Sequence, residues 1–134
     1  MAIILDADVI IRGERGTFDL KGWLQANSHE QFELAAVTIA ELWHGVERAT
    51  GSIRAQREKY LQSIVGPLTI IPYTDETAYE HARIWARLES IGRMIDDYDM
   101  AVAATAILRG SSVATFNQKH FANVAGLKVI APEN

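Results

Sequence analysis

Apolar residues along the chain follow two alternating rhythms. Residues 2–5 and the segments 32–37 (FELAAV), 68–73 (LTIIPY), 111–116 (SSVATF) and 127–132 (LKVIAP) are short and apolar, and each is bounded by Gly, Pro or polar turn residues. Short runs of this kind read as strands. Between them, residues 38–50 place Ile39, Leu42, Trp43 and Val46 at spacings of three and four, and residues 75–92 repeat this with Tyr79, Ala82, Ile84, Trp85 and Leu88. Both predict amphipathic helices, and a further helix is read from Ser52. The stretch Asp97 to Leu108 is Ala-rich and nearly apolar throughout, which suits a helix packed closely on a sheet and ended by Gly110. Residues 11–16, IRGERG, are charged and flanked by glycines, and read as a loop. Strands alternating with helices predict an α/β fold, a three-layer α/β/α domain whose mainly parallel central sheet has about four to five strands.

One segment breaks the pattern. AIILDADVII, residues 2–11, is built to be buried, yet it carries Asp6 and Asp8. An ionised carboxylate out of water costs several kcal/mol or more unless it is paired or bound to a cation. In a parallel sheet, ligands collect outside the carboxyl ends of the strands. Asp6 and Asp8 stand at one such end, Thr38 and Glu41 follow the second strand, and Thr115 and Asn117 close a later one. Local roles compete with this convergence. Asp8 can cap or brace a turn, and Thr38-Ile39-Ala40-Glu41 fits a capping box. Asp96, Asp97 and Asp99 crowd a helix start, where the macrodipole favours negative charge. Three carboxylates are more than capping needs, and spacing sets Asp99 on the buried side and Asp96 in solvent. Hard oxygen ligands from separate strand ends suit Mg²⁺ or Mn²⁺ completed by water and substrate phosphate, which is phosphodiester chemistry.

Composition narrows the rest. At 134 residues and 49% hydrophobic content, a single domain spanning 1–134 is expected. The absence of cysteine removes disulfides, thiolate zinc sites, iron–sulfur clusters and cysteine nucleophiles, and favours the cytoplasm. No apolar stretch approaches the ~20 residues of a membrane span, so no membrane association is expected. A net charge of −4 argues against a general nucleic-acid coat, although a nuclease with an acidic centre and a basic rim is compatible with it. His29, His44, His81 and His120 form no pair at metal-ligand spacing, which disfavours zinc.

With these residues assembled, the chain resembles the PIN-domain ribonucleases, most closely the VapC toxins of prokaryotic toxin–antitoxin pairs. The resemblance is carried by ILDADVII, AAVTIAELWHGVERA at 35–49, GRMIDDYDMAVAATAILRG at 92–110, SVATFNQKHF and NVAGLKVIAP. It implies that Asp6 and Asp99 bind the metal, that Glu41 and the accessory acid Asp97 complete the catalytic set, and that Thr115 and Asn117 orient it. Two departures stand out. Asp8 stands where the family often has Asn, and Asn117 and His120 occupy positions where a fourth acid is frequent. A single-metal or substrate-completed site is therefore expected. The implied activity is Mg²⁺-dependent RNA hydrolysis, with Mn²⁺ able to substitute, leaving a 5′-phosphate and a 3′-hydroxyl. Arg12, Arg15, Arg93 and Lys119 lie in segments beside the site and are candidate contacts to RNA phosphates. A small VapB-type antitoxin would inhibit by laying a tail with an Arg into the acidic cleft. Trp43 and Tyr60, on the helices starting at Thr38 and Ser52, would form a homodimer face or the antitoxin groove.

Two alternatives predict different chemistry. DADVI nearly fits the nucleophile motif of the haloacid-dehalogenase phosphatases, with the threonine of AAVT, Lys59 and Asp96-Asp97 in the right order, and requires phosphorylation of Asp6. A PIN-like module that binds RNA or a partner without cutting would hold metal and leave RNA intact.

Overall fold

The first apolar run becomes the middle strand of the sheet. In the computed structural model, which describes residues 2–133, β1 (Ala2–Leu5) is flanked by β2 (Gln31–Ala35) on one side and β4 (Ser112–Ala114) on the other. The outer positions are β3 (Thr69–Ile71) beside β2 and β5 (Val129–Ile130) beside β4. All four pairings are parallel, with Ile4 opposite both Glu33 and Val113. The expected α/β/α architecture with five strands is therefore present, and its sheet is wholly parallel.

Helices cover both faces, as a parallel sheet requires. Ile3, Leu5, Leu34 and Ala114 point to one face, where they meet α1 (Ala7–Arg15), α2 (Leu20–Ala26), α3 (Ala36–Arg48) and α4 (Gly51–Val65). Ile4, Ala35 and Val113 point to the other, against α5 (Asp75–Ser90), α6 (Asp97–Arg109) and the short α7 (Gln118–Phe121). Alanine governs the second face. From Met100 to Ala106 every residue of α6 is at most 3% exposed, because small side chains let the helix press onto the sheet while α5 covers its back.

Three local expectations change. Residues 11–16 are helical as far as Arg15, and α1 ends at Gly16 in the left-handed conformation, φ 77°. Gly13, which reads as a breaker, is a packing residue: a Cβ there would stand 2.5 Å from the Tyr60 hydroxyl and 2.8 Å from Leu20 Cβ. Helix α2, capped by the Asp19 side chain on the Gly22 N–H, follows where no element was expected. Trp43 and Tyr60 are half-buried, each packed in part against the first core. The large exposed apolar side chains include Tyr73, Tyr79, Trp85 and Tyr98, on α5 and its neighbours.

A charge is buried at the other end of the sheet. Glu33 has no exposure and accepts from Arg109, from the Ser111 hydroxyl at 3.1 Å and from the Gln31 amide at 3.0 Å. Arg109 ends α6 and Ser111 leads into β4, so this network fixes the C-terminal end of α6 over β2.

The tight seat of α6 gives a direct test. Ala104→Leu is expected to destabilise by about 1–3 kcal/mol through overpacking. Leu108→Ala, 46% exposed on the same helix, should stay within about 0.5 kcal/mol. Urea unfolding midpoints of the two variants check the difference.

Candidate active site

Parallel strands all present their carboxyl ends to one edge, and the chain places its acids there. Asp6 follows β1 immediately and caps α1: its Oδ1 accepts the Ala7 N–H at 2.8 Å. Its Oδ2 accepts the Thr115 hydroxyl at 2.8 Å, directly after β4. Thr115 also lies 3.3 Å from Asp8 Oδ1, but one hydroxyl has one proton, and the shorter Asp6 contact takes it. Asp8 instead accepts the Phe116 N–H at 3.0 Å, so it braces the turn after β4. The Asn117 N–H donates to Thr115 Oγ at 3.0 Å, while the Asn117 side chain makes no capping bond to α7.

The third and fourth acids come from helix starts. Strand β2 runs into α3 without a turn, and the helix begins at Ala36, two residues before the expected cap. Thr38 is therefore inside the helix and fully buried, its hydroxyl without a partner, and no capping box forms with Glu41. Glu41 points toward the other acids, and its Oε1 is buried with no hydrogen-bond partner. At the start of α6, the exposed Asp96 is the cap, accepting the Asp99 N–H at 2.8 Å, and Asp99 is 7% exposed. Asp97 is not brought to this cluster. Two residues are about 200° around a helix, so the turn that buries Asp99 directs Asp97 into a separate groove with Tyr73, His81 and Tyr98.

The electrostatics follow from crowding. Burial, then the charge of Asp8, raises Asp6 to about 7 despite the Thr115 bond. Burial, then Asp6 and Asp99, raises Glu41 to about 7. Burial and Asp96 raise Asp99, partly offset by His120, whose Nδ1 lies 2.9 Å from Asp99 Oδ2. Sequence spacing alone gave no sign that His120 would touch Asp99, because α7 returns to α6 only in the folded chain, whereas Asp96 meets Asp99 within one helix start.

Among the described residues no three carboxylate, imidazole or thiol groups form a closed metal-ligand set. The donors still fit a hard divalent ion. Mg²⁺ takes one or two carboxylates and keeps waters or phosphate oxygens for the rest, and mutually repelling carboxylates with an unpaired Oε1 are relieved by such a charge.

The candidate cations scatter. Arg12 lies on α1 with its guanidinium carbon 4.2 Å from the centre of the Phe116 ring, beside the site. Arg15 lines a groove with Glu14, Glu41 and Arg57. Arg93 is an exposed residue of the turn before α6, and Lys119 is exposed on α7.

Comparison with known proteins agrees with this geometry. The profile of the family described as PIN domain matches residues 3–127. Ribonuclease VapC1 of Rickettsia felis is 33% identical over 131 residues, covering 97% of this chain and 96% of that protein. The crystal structure of VapBC2 from Rickettsia felis bound to a DNA fragment from its promoter gives a TM-score of 0.90 at 20% identity, over 99% of this chain and 100% of that one. That of VapBC-5 from Mycobacterium tuberculosis gives 0.73 at 29% identity, over 99% and 98%. The phosphatase alternative finds no support, since the PIN match spans its motif positions and Lys59 is an exposed residue of α4.

The raised acids give a stability test. A carboxyl whose folded pKa exceeds its unfolded value contributes stability fully present below the unfolded pKa and lost as pH rises through the folded one. For Asp6 that window runs from 3.8 to about 7, on the order of 4 kcal/mol. In EDTA the wild type should therefore lose melting temperature across this window, and Asp6→Asn should lose distinctly less. Parallel slopes for the two proteins would contradict the shift.

Proposed function

This chain belongs to the PIN-domain family, and from that membership we propose that it is a VapC-type endoribonuclease that uses Mg²⁺ in its acidic centre to cut RNA in the cytoplasm. The observation that carries the reading is the convergence of Asp6, Glu41 and Asp99, two of them buried and Glu41 half-buried, at the carboxyl edge of a parallel sheet. The name Ribonuclease VapC1 borne by a relative 33% identical across nearly the whole chain points to the same substrate class.

Asp6 and Asp99 would hold the ion. When bound, it lowers the pKa of a coordinated water and offsets charge on the phosphate. Glu41 carries an unpartnered Oε1 among the other acids, which suits it to orient the attacking water and take its proton. The water oxygen bonds to phosphorus, the P–O3′ bond breaks, and the 3′-oxygen leaves with a proton, giving a 5′-phosphate and a 3′-hydroxyl. Thr115 fixes Asp6 by donating to Oδ2, and Asp8 fixes Thr115 by tying down the turn that carries it. Asp97, turned into the groove with Tyr98, has no step here.

The partner is a small VapB-type antitoxin, as in the VapBC complexes that share this fold. A groove between α1, α3 and α4, lined by Ile11, Leu42 and Leu61 with Glu14, Arg15, Glu41 and Arg57, reaches Glu41; Arg57 already pairs with Glu14, so the groove suits an antitoxin segment with apolar anchors and an Arg aimed at Glu41.

End-labelled structured RNAs incubated with the protein in Mg²⁺ should be cut to products bearing 5′-phosphates, and EDTA should stop the reaction. Asp6→Asn and Asp99→Asn should leave no cutting above background, and Thr115→Val should lose about 10–100-fold in metal affinity or activity. Calorimetric Mg²⁺ binding separates outcomes: retained binding with no cleavage would favour a binding-only module, and cutting that persists in both variants would remove the basis for the site.

A further inference from the structure

Of the cations near the site, the fold immobilises one without neutralising it. Arg12 is four residues after Asp8 on α1, a spacing that commonly pairs opposite charges. Yet Asp8 is engaged by the Phe116 N–H, and the Arg12 guanidinium lies over the Phe116 ring, 4.2 Å from its centre. The ring is held edge-on by Phe18 at 5.2 Å, and Phe18 in turn packs on Trp23. Arg12 forms no ion pair among the described residues. Arg15, Arg93 and Lys119 form no ion pair either among the described residues, but of these candidates only Arg12 is held against a ring.

This arrangement meets a specific need. An RNA strand approaching Asp6, Asp8, Glu41 and Asp99 is repelled by them, and a cation paired with any of them would have its charge cancelled. The ring contact uses no N–H donor, and no side-chain hydrogen bond or ion pair takes one among the described residues, so the guanidinium can still bind phosphate oxygens. The platform residue follows Thr115, which holds Asp6, so Arg12 stands at the rim of the acidic centre.

We propose that Arg12, laid on Phe116, is a substrate-positioning residue that binds a backbone phosphate of single-stranded RNA beside the bond to be cut. The proposal rests on the ribonuclease reading and concerns binding, so it is tested apart from cleavage. Binding of a fluorescein-labelled mixed-sequence single-stranded RNA is followed by anisotropy in EDTA across a KCl series. Arg12→Gln should weaken binding several-fold at low salt and reduce the slope of log affinity against log salt by about 0.7, the value for one phosphate contact on a single strand. Arg12→Lys should restore the slope, because it keeps the charge. Phe116→Leu should keep the slope and weaken binding, because the charge remains but its fixed position is lost. In Mg²⁺, Arg12→Gln should raise KM and leave kcat unchanged, with a melting temperature equal to wild type. Wild-type slope and affinity in Arg12→Gln would overturn the proposal alone. A wild-type chain that binds no RNA at any salt would likewise overturn the proposal, while the ribonuclease reading stands or falls separately on cleavage in Mg²⁺.

Discussion

Mutual repulsion among Asp6, Asp8, Glu41 and Asp99 in a half-dry pocket is the constraint to which the rest of the structure answers. The fold supplies each of three carboxylates with a partner: the Ala7 N–H and Thr115 hydroxyl for Asp6, the Phe116 N–H for Asp8, and the His120 ring for Asp99. It supplies Glu41 Oε1 with nothing. Burial first, and then the neighbouring charges that neutral donors do not cancel, raise Asp6 and Glu41 to about 7. The divalent cation proposed for this centre would relieve that crowding, and the proposed anionic substrate would need a cation held apart from the acids.

Keeping four repelling groups together demands a stiff frame, and α6 shows how it is built. Its alanines seat it directly on the sheet. Its C-terminal end is pinned by Arg109 and Ser111 on the buried Glu33, and its N-terminal end is fixed by the Asp96 cap. Asp99 thus sits on a helix anchored at both ends. On the opposite face, Gly13 lets α1 approach Tyr60 and Leu20, and α1 carries Asp8 and Arg12.

Much of the fold was legible because strand and helix periods are local. The alternation of apolar runs with helical spacing predicts the parallel α/β sheet, and the Ala-rich run predicts the close-packed helix. Residues 11–16 misled because Gly13 looks like a breaker when nothing shows what packs on it. Thr38 and Glu41 fit a capping box, yet β2 enters α3 so directly that Thr38 begins no helix. How far Trp43 and Tyr60 are covered by the core, about half in each case, is something periodicity cannot give.

The sequence by itself determined that carboxylates stand at successive strand ends, since order and parallel topology require only the apolar runs between them. It also determined that Asp99, with Val102 and Ala103 following, faces inward. Only the tertiary structure decided which further groups join them. His120 meets Asp99 from another helix, and Arg12 lies on a ring more than a hundred residues distant in the chain. The physical reason is that a carboxylate's neighbours are set by how helix rotation and strand order close in three dimensions, whereas sequence spacing fixes geometry only within a single element.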